Sequence, residues 1–540
     1  MPLDIDIKII LGILSAIIVF IYGIDSFSKE ITANNSKTLR IVISRLAKNR
    51  YLATIIGAIS TAIVHSSSAI TAITVLFVSM GYVSFKNSLG LIFGANIGTT
   101  VTAQLALVDS AIIAPTLIVA GFFLGILGKK FRMISKSVFF LGFILFSLNL
   151  LLNNITPLQS NAAIIELFSH MDNIFIALLV SAIFTILVQS SSITTGILIV
   201  LAKAGFLQTN IAIAMILGAN IGSSTTALLI STKLDIFAKR TAWANLIFNF
   251  AGSAICVLLL NPFTSFVSGF SSDIPTQTAI AHLMFNLINT LIFLIILTPF
   301  SQFIGEIIKS DTEQDEILFE TKFLKNLKSN KVKAVLDAVQ KELIYTIDIT
   351  TMIFDLSISL NKEFTIPKKN KIIKLESLND YLDDEISKKL LELSNQELSK
   401  KYANRIMSYI KISNTLEQIG DLGKDYAELF VKLHDTSHEQ SIFNVVSIHK
   451  VHNGTLDLLR NLGDLILDRS EEKLVEQKNH EKDLEKSIDE ILQLHIEDLQ
   501  KSGSYDSSYF VDAVSILELV IAKSRAIRNV LNSNHTSAHQ

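Results

Sequence analysis

The stretches "VHSSSAITAI" (Val64–Ile73) and "VQSSSITTGI" (Val188–Ile197) decide how this chain folds. Each sets three consecutive serines, introduced by His65 or Gln189, inside a long apolar run. One serine is tolerable in a membrane helix; three in a row, twice, require a reason. Residues 65–100 lie over residues 189–224 without a gap, with 12 identities in 36 positions. The identities gather in the triplet and in "GANIG" rather than over scattered Leu and Ile, which marks a duplication.

The rest of the chain divides by solvent. Mean hydropathy is +0.47, high for a soluble protein. Residues 1–308 hold 16 Lys/Arg and 10 Asp/Glu, whereas residues 309–540 hold 31 and 39. A membrane domain over 1–308 and a charged helical domain over 309–540 are expected. No basic tract points to nucleic acid. The single cysteine, Cys256, excludes an internal disulfide. The apolar run Ile9–Tyr22 lacks a basic leader and a small-residue cleavage site, so it reads as a retained first helix.

Bilayer-length runs lie near 7–24, 88–108, 111–128, 134–153, 207–230, 241–260 and 279–303. Runs 51–83 and 174–203 differ. A straight helix of about 30 residues would be about 45 Å long, against a hydrocarbon core of about 30 Å. Two half-length arms meeting at the serines fit better, as re-entrant hairpins. Basic clusters at Lys37–Arg50, Lys129–Lys136 and Lys233–Arg240 all fall on one side if both runs dip and return. The loop 153–173 carries only Glu166 and Asp172, and it falls on the other side with Lys203. Three crossings then separate the hairpins, so the copies are inverted: repeat 1 over about 7–128, repeat 2 over about 131–260, and an extra helix over about 279–303. Inverted repeats with helices interrupted at mid-membrane are a transporter architecture.

Backbone groups freed at such tips cannot face lipid; they must line a polar cavity. Arm ends that begin there offer N–H donors to an anion. Freed carbonyls and Ser, Thr or Asn oxygens suit Na⁺. The glycines of "GANIGTT" and "GANIGSST" serve either close approach or unwinding. Asn245 with Asn249, and His282 with Asn286, share helix faces; they could support the cavity, and bonding between helices is the expected role. Lys203 is expected to snorkel to headgroups.

These residues resemble the bacterial branch of the type II sodium–phosphate cotransporter family over residues 1 to about 305. The resemblance implies Na⁺-coupled movement of inorganic phosphate. It assigns the phosphate and sodium sites to Ser66, Ser67 and Ser68 with Gln189, Ser190, Ser191 and Ser192. Asn96, Thr99 and Thr100 complete them with Asn220, Ser223 and Ser224, and Thr194 and Thr195 are candidate Na⁺ ligands. His65 stands where the family usually has Gln, and it would add a titratable group.

From Glu316 onward the periodicity is helical, punctuated by Pro367 and Gly503. Six helices are expected, about 331–361, 372–397, 401–432, 443–470, 472–502 and 508–533, in two three-helix bundles. Glu376, Asp380 and Asp384 share one helix face, as do Glu417, Asp421 and Asp425. Two such stripes brought together could hold a metal ion. "LEQIGD" is similar to the signature of PhoU domains over roughly 320–535, a family whose paired acidic motifs bind metal. Glu481, Glu485 and Asp489 keep the spacing, but Glu518 is followed by Ala522, so at most one intact site is expected.

The expected fold is all-α: a polytopic membrane protein with inverted repeats and two re-entrant hairpins, then a soluble helical domain. The expected function is a Na⁺:phosphate symporter of the bacterial cytoplasmic membrane with a cytoplasmic regulatory tail. Its expected partners are phosphate, the bilayer, and a second copy or a regulatory protein at the tail. The alternatives are a phosphate exporter and a membrane-anchored phosphate sensor. No nucleophile–base set or phosphate loop supports an enzyme.

Overall fold

The computed structural model describes residues 7–46, 49–127, 131–161, 173–309, 316–325, 327, 331–435, 446–502 and 508–536. Glu166, Asp172 and Gly503 lie outside the described residues, as do Lys129 and Lys130. The described residues are helical without strands and divide into two units, Met1–Glu316 and Ile317–Gln540.

The first unit opens with α1 (Ile7–Leu46), α2 (Arg50–Val64), α3 (Ser67–Ser79) and α4 (Phe85–Leu107). There follow α5 (Ser110–Ile126), α6 (Arg132–Ile155), α7 (Ile174–Val188), α8 (Ser191–Lys203) and α9 (Thr209–Ser223). It closes with α10 (Thr225–Ser231), α11 (Ile236–Leu258), α12 (Leu260–Ser268), α13 (Ile274–Ile295) and α14 (Leu297–Ile307). Side-chain oxygens start many of them: Asn49, Asp109, Asn173, Asp235 and Asp273 each accept a first-turn N–H. Among the described residues, seven helices are long and apolar enough to cross a membrane, six of them in this unit; α5, in the expected span 111–128, has 17 residues and is shorter than these. Large apolar side chains such as Ile112, Leu187, Leu258 and Ile295 face outward, a surface suited to lipid. The expected span 207–230 is interrupted at Ser224: α9 ends at Ser223 and α10 restarts at Thr225.

Both serine runs are broken in the same way. α2 and α7 have 15 residues, and α3 and α8 have 13. Fifteen residues make about 22 Å of helix, short of the hydrocarbon core. The break residues are the only non-glycine positions described with positive φ, His65 at 55° and Gln189 at 57°. α2 packs on α4 and α7 on α9, so each broken run leans on its own "GANIG" helix.

Lys203 departs from expectation. Its ammonium donates to the carbonyls of Ala106 (2.8 Å) and Leu107 (3.2 Å), capping the C-terminal end of α4 rather than reaching for headgroups.

The second unit contains α15 (Val332–Lys362), α16 (Ile366–Ser394), α17 (Lys400–Asp435), α18 (Val446–Leu467), α19 (Glu471–Ser502) and α20 (Ser508–Thr536). α15–α17 form one three-helix group and α18–α20 a second, joined by α17 against α20 and α15 against α18. Pro367 sits in the first turn of α16 behind the Thr365 cap. α15 is the seventh helix apolar enough to span a membrane. Its Val335, Leu343 and Phe354 are buried in this unit's own core. Its buried Glu342 accepts the backbone N–H groups of Lys322, Phe323 and Leu324, which fixes the preceding segment.

Buried His452 stacks on Tyr426, with ring centroids 5.7 Å apart. Desolvation, then the neighbouring His449, pushes the His452 pKa down to about 4. A folded value below the unfolded one means that this contribution to stability is full above about pH 6.5. It is lost as pH falls toward 4, on the order of a few kcal/mol. Cleavage within residues 400–467 is therefore expected to rise in limited proteolysis of the full chain at pH 5. His452→Phe, which keeps the stack, should resist cleavage at pH 5 as at pH 7. Equal resistance of the wild type at both pH values would refute this.

Candidate functional site

At each break the three serines have separate tasks. The first caps the arm that follows: Ser66 Oγ accepts from Ala69 N–H (3.2 Å), and Ser190 Oγ from Ile193 N–H (3.4 Å). The third reaches across to the other copy: Ser68 Oγ donates to the carbonyl of Gln189 (3.2 Å), and Ser192 Oγ to the carbonyl of His65 (3.3 Å). This reciprocal pair joins the two triplets. The middle serines, Ser67 and Ser191, are buried, and among the described residues neither hydroxyl takes a protein partner.

The break carbonyls are available for this because the left-handed residue ends the ladder of each first arm. His65 N–H still donates to Thr61 O and Gln189 N–H to Thr185 O, both at 2.7 Å. His65 Nδ1 lies 3.1 Å from Thr102 Oγ1, tying the first break to α4. Gln189 is exposed and His65, Ser66, Ser68 and Ser190 are half-buried, so the junction is not sealed on every side.

The "GANIG" residues form a second layer. Asn96 Nδ2 approaches Asn245 Oδ1 at 3.4 Å, and Asn220 Nδ2 approaches Asn286 Oδ1 at 3.5 Å. Asn249 donates to Ser224 Oγ (2.9 Å). Thr99, Thr100 and Ser223 donate to carbonyls of their own helices. Thr194 Oγ1 lies 2.8 Å from Thr185 Oγ1, while the hydroxyl of Thr195 is buried and unpartnered. Asn245, Asn249 and Asn286 thus bond between helices or along them; His282 does not, and both its ring nitrogens are buried without a partner.

The sequence reading missed Thr61 and Thr185, buried one turn before the breaks. They occupy equivalent places in the two copies, so an alignment carried one turn upstream finds them. It also left the glycines with two roles. α4 runs unbroken through Gly94 and Gly98, so they serve close approach, not unwinding.

In the second unit, Glu376, Asp380 and Asp421 bring one carboxylate oxygen each within 4.8 Å of the others. Asp384, Glu417 and Asp425 are not part of that triad. Desolvation, then Glu376 and Asp421, pushes Asp380 up to about 6; desolvation, then Asp421 and Asp380, pushes Glu417 up to about 7. Lys424 Nζ sits 2.9 Å from Glu376 Oε1 and supplies one positive charge to the cluster. Gly420 of "LEQIGD" leaves room for Asn379, whose amide donates to Leu416 and Glu417 carbonyls beside the acids. In the second bundle buried Glu481 is held by Arg528 (3.0 and 2.9 Å), and Glu485 pairs with Arg525. Arginines fill that face.

Residues 19–153 and 159–289 match the Na+/Pi-cotransporter family model, and residues 346–430 match the PhoU domain model. The chain is 29% identical over 265 residues to a Salmonella typhimurium protein provisionally named inorganic phosphate export protein YjbB, covering 48% of this chain and 49% of that one. It is 28% identical over 269 residues to the uncharacterized protein YqeW of Bacillus subtilis, covering 49% and 87%. The sodium-dependent phosphate transport protein 2C of Mus musculus shares 38% over 89 residues, 16% of this chain and 15% of its own. The matched region thus spans about half the length of the Salmonella relative. The duplicated membrane unit and the helical unit behind it place the chain in the Na+/Pi-cotransporter family, with a PhoU domain toward the C-terminus.

Proposed function

We propose that the membrane unit is a sodium-coupled carrier of inorganic phosphate, regulated by the PhoU-bearing unit. One observation carries the reading: the reciprocal Ser68–Gln189 and Ser192–His65 bonds, which bring two interrupted arms to one junction with two uncommitted serine hydroxyls. The arms are too short to span, which supports re-entrant hairpins. With the 17-residue α5 crossing beside α4 and α6, three crossings separate them and the copies are inverted. Arm N-termini at the junction suit the oxyanion, and the carbonyls and hydroxyls around Thr194, Thr195 and Asn220 suit Na⁺. The basic clusters support a second unit on the cytoplasmic side of a bacterial membrane. There Glu376, Asp380 and Asp421 would hold a divalent cation of the transition series, in competition with Lys424.

The full-length protein in proteoliposomes is expected to move labelled phosphate saturably under a sodium gradient, and choline in place of sodium should stop it. Equal flux in choline refutes the coupling. Saturable binding without flux favours a sensor instead. The name of the Salmonella relative favours a second reading, export; vesicles of both orientations and both gradient directions decide between the two.

A further inference from the structure

The helix α13 carries a line of buried polar residues, among them Thr278, His282, Asn286, Asn289 and Thr290. All but one are spoken for. Thr278 donates to Ile274 O, Asn286 to His282 O, Asn289 to Phe248 O and Thr290 to Phe93 O. The exception is the imidazole of His282, fully buried, with neither ring nitrogen bonded to protein among the described residues. A neutral imidazole has one N–H to give and one lone pair to fill. Leaving both empty in a membrane interior is costly, and such polar groups mark pathways.

Its depth follows from hydrogen bonds. Gln104 Nε2 donates to Ala279 O (3.2 Å), and Thr290 Oγ1 donates to Phe93 O (3.2 Å). α4 and α13 therefore run antiparallel, with the same number of residues between the two ties on each helix. That register sets His282 abreast of Val101, beside Thr102. Thr102 is the residue that meets His65 at the first break. Through the reciprocal serine bonds the second break lies at the same junction. His282 is also one turn from Asn286, the partner of the "GANIG" residue Asn220. A helix rises about 1.5 Å per residue, so along the axis His282 is within a few ångströms of the breaks.

We propose that His282 is a third element of the substrate site, contributed by neither hairpin, and that its ring bonds a hydrogenated oxyanion. This rests on the phosphate-carrier reading. Hydrogenphosphate offers an acceptor oxygen to the ring N–H and a P–OH donor to the ring lone pair. Sulfate at neutral pH has acceptors only, so one ring nitrogen would face a lone pair. Sodium prefers oxygen ligands and would leave the N–H unmet. A buried site built for a donor rejects the analogue that lacks it. His282 thereby sets the preference for phosphate, or isosteric arsenate, over sulfate.

The test uses full-length protein in proteoliposomes, with His282→Met, which fills the space without polar atoms, and His282→Gln, which keeps a donor and an acceptor. The Met variant is expected to raise the KM for phosphate tenfold or more and to let sulfate compete. The Gln variant should stay within threefold and still exclude sulfate. Should the Met protein not be monodisperse, His282→Ser replaces it, with the same expectation because the hydroxyl is too short to reach. A wild-type KM and selectivity in the Met or Ser variant overturns the proposal, since water would then fill the site. An equal loss in Gln and Met also overturns it, as a structural role would act that way. Absence of phosphate flux in the wild type would instead sink the carrier reading.

Discussion

Exchanging Gly94 for valine is expected to abolish accumulation of folded protein. A Cβ at Gly94 would lie 1.9 Å from the carbonyl oxygen of Thr54. Gly90 and Gly98, one turn to either side, face the carbonyls of Arg50 (2.5 Å) and Ala58 (2.4 Å) in the same way. From the other helix, Gly57 meets the carbonyl of Leu91 at 2.1 Å. Two backbones are in contact here, the small-residue packing that membrane helices use. No rotamer can relieve the clash, because the opposing atoms are main chain; α2 must move away whole. Overpacking a core by a methylene or two costs about 1–3 kcal/mol when side chains can yield. Here they cannot, and α2 ends in the break that the site needs. Gly218 repeats the arrangement against Leu178 O (2.1 Å), so Gly218→Val should behave alike. Gly305, with nothing within 4 Å, supplies the control, and Gly305→Ala should be neutral. Size-exclusion profiles of detergent extracts read the result. Less than a tenth of the wild-type monodisperse peak is expected for Gly94→Val. A normal peak would show that the backbones can part, and the packing argument would fail.

The glycines show what a sequence discloses and what it withholds. Their spacing was legible, as were the two break points, because three serines in an apolar run have few other uses. The tail's helices were legible from period, and its acidic stripes from i, i+4 spacing. Their partners were not. That Ser68 meets the backbone of Gln189, 121 residues away, depends on how the two copies dock, and identical triplets give no hint of which serine caps and which crosses. Lys203 looked like an interfacial lysine because its neighbours are apolar; its role follows from α4 ending beside it, a tertiary fact. Lys424 lies between Asp421 and Asp425 in plain view, yet its pairing with Glu376 requires knowing that α16 and α17 are adjacent. His282 was expected to bond between helices as Asn286 does, since the text of "AHLMFN" cannot reveal which polar group goes without.

Converting Ser67 and Ser191 together to alanine is expected to cut phosphate flux at least a hundredfold while leaving the fold intact. Of the six triplet hydroxyls these two are the ones without a task in the fold: no described residue takes either of them. Their loss therefore orphans nothing in the protein. A hydrogen bond to a charged group is worth about 1.5–3 kcal/mol, so two such bonds to an oxyanion amount to roughly two to four powers of ten. Each single alanine should cost roughly one to two powers of ten by the same measure. The flanking serines should fail differently. Ser66→Ala and Ser190→Ala remove helix caps at about 1 kcal/mol each and should lower thermal stability before they lower affinity. Ser68→Ala and Ser192→Ala break the bonds between the copies, so the junction loosens as a unit, and the two substitutions should be less than additive. Flux at saturating phosphate, KM and melting temperature, measured on all six single variants and the double, separate these patterns. If the Ser67/Ser191 double variant transports normally while the capping variants lose affinity, the middle hydroxyls do not touch the substrate. The oxyanion would then be held by backbone N–H groups alone, and the division of tasks among the three serines would have to be redrawn.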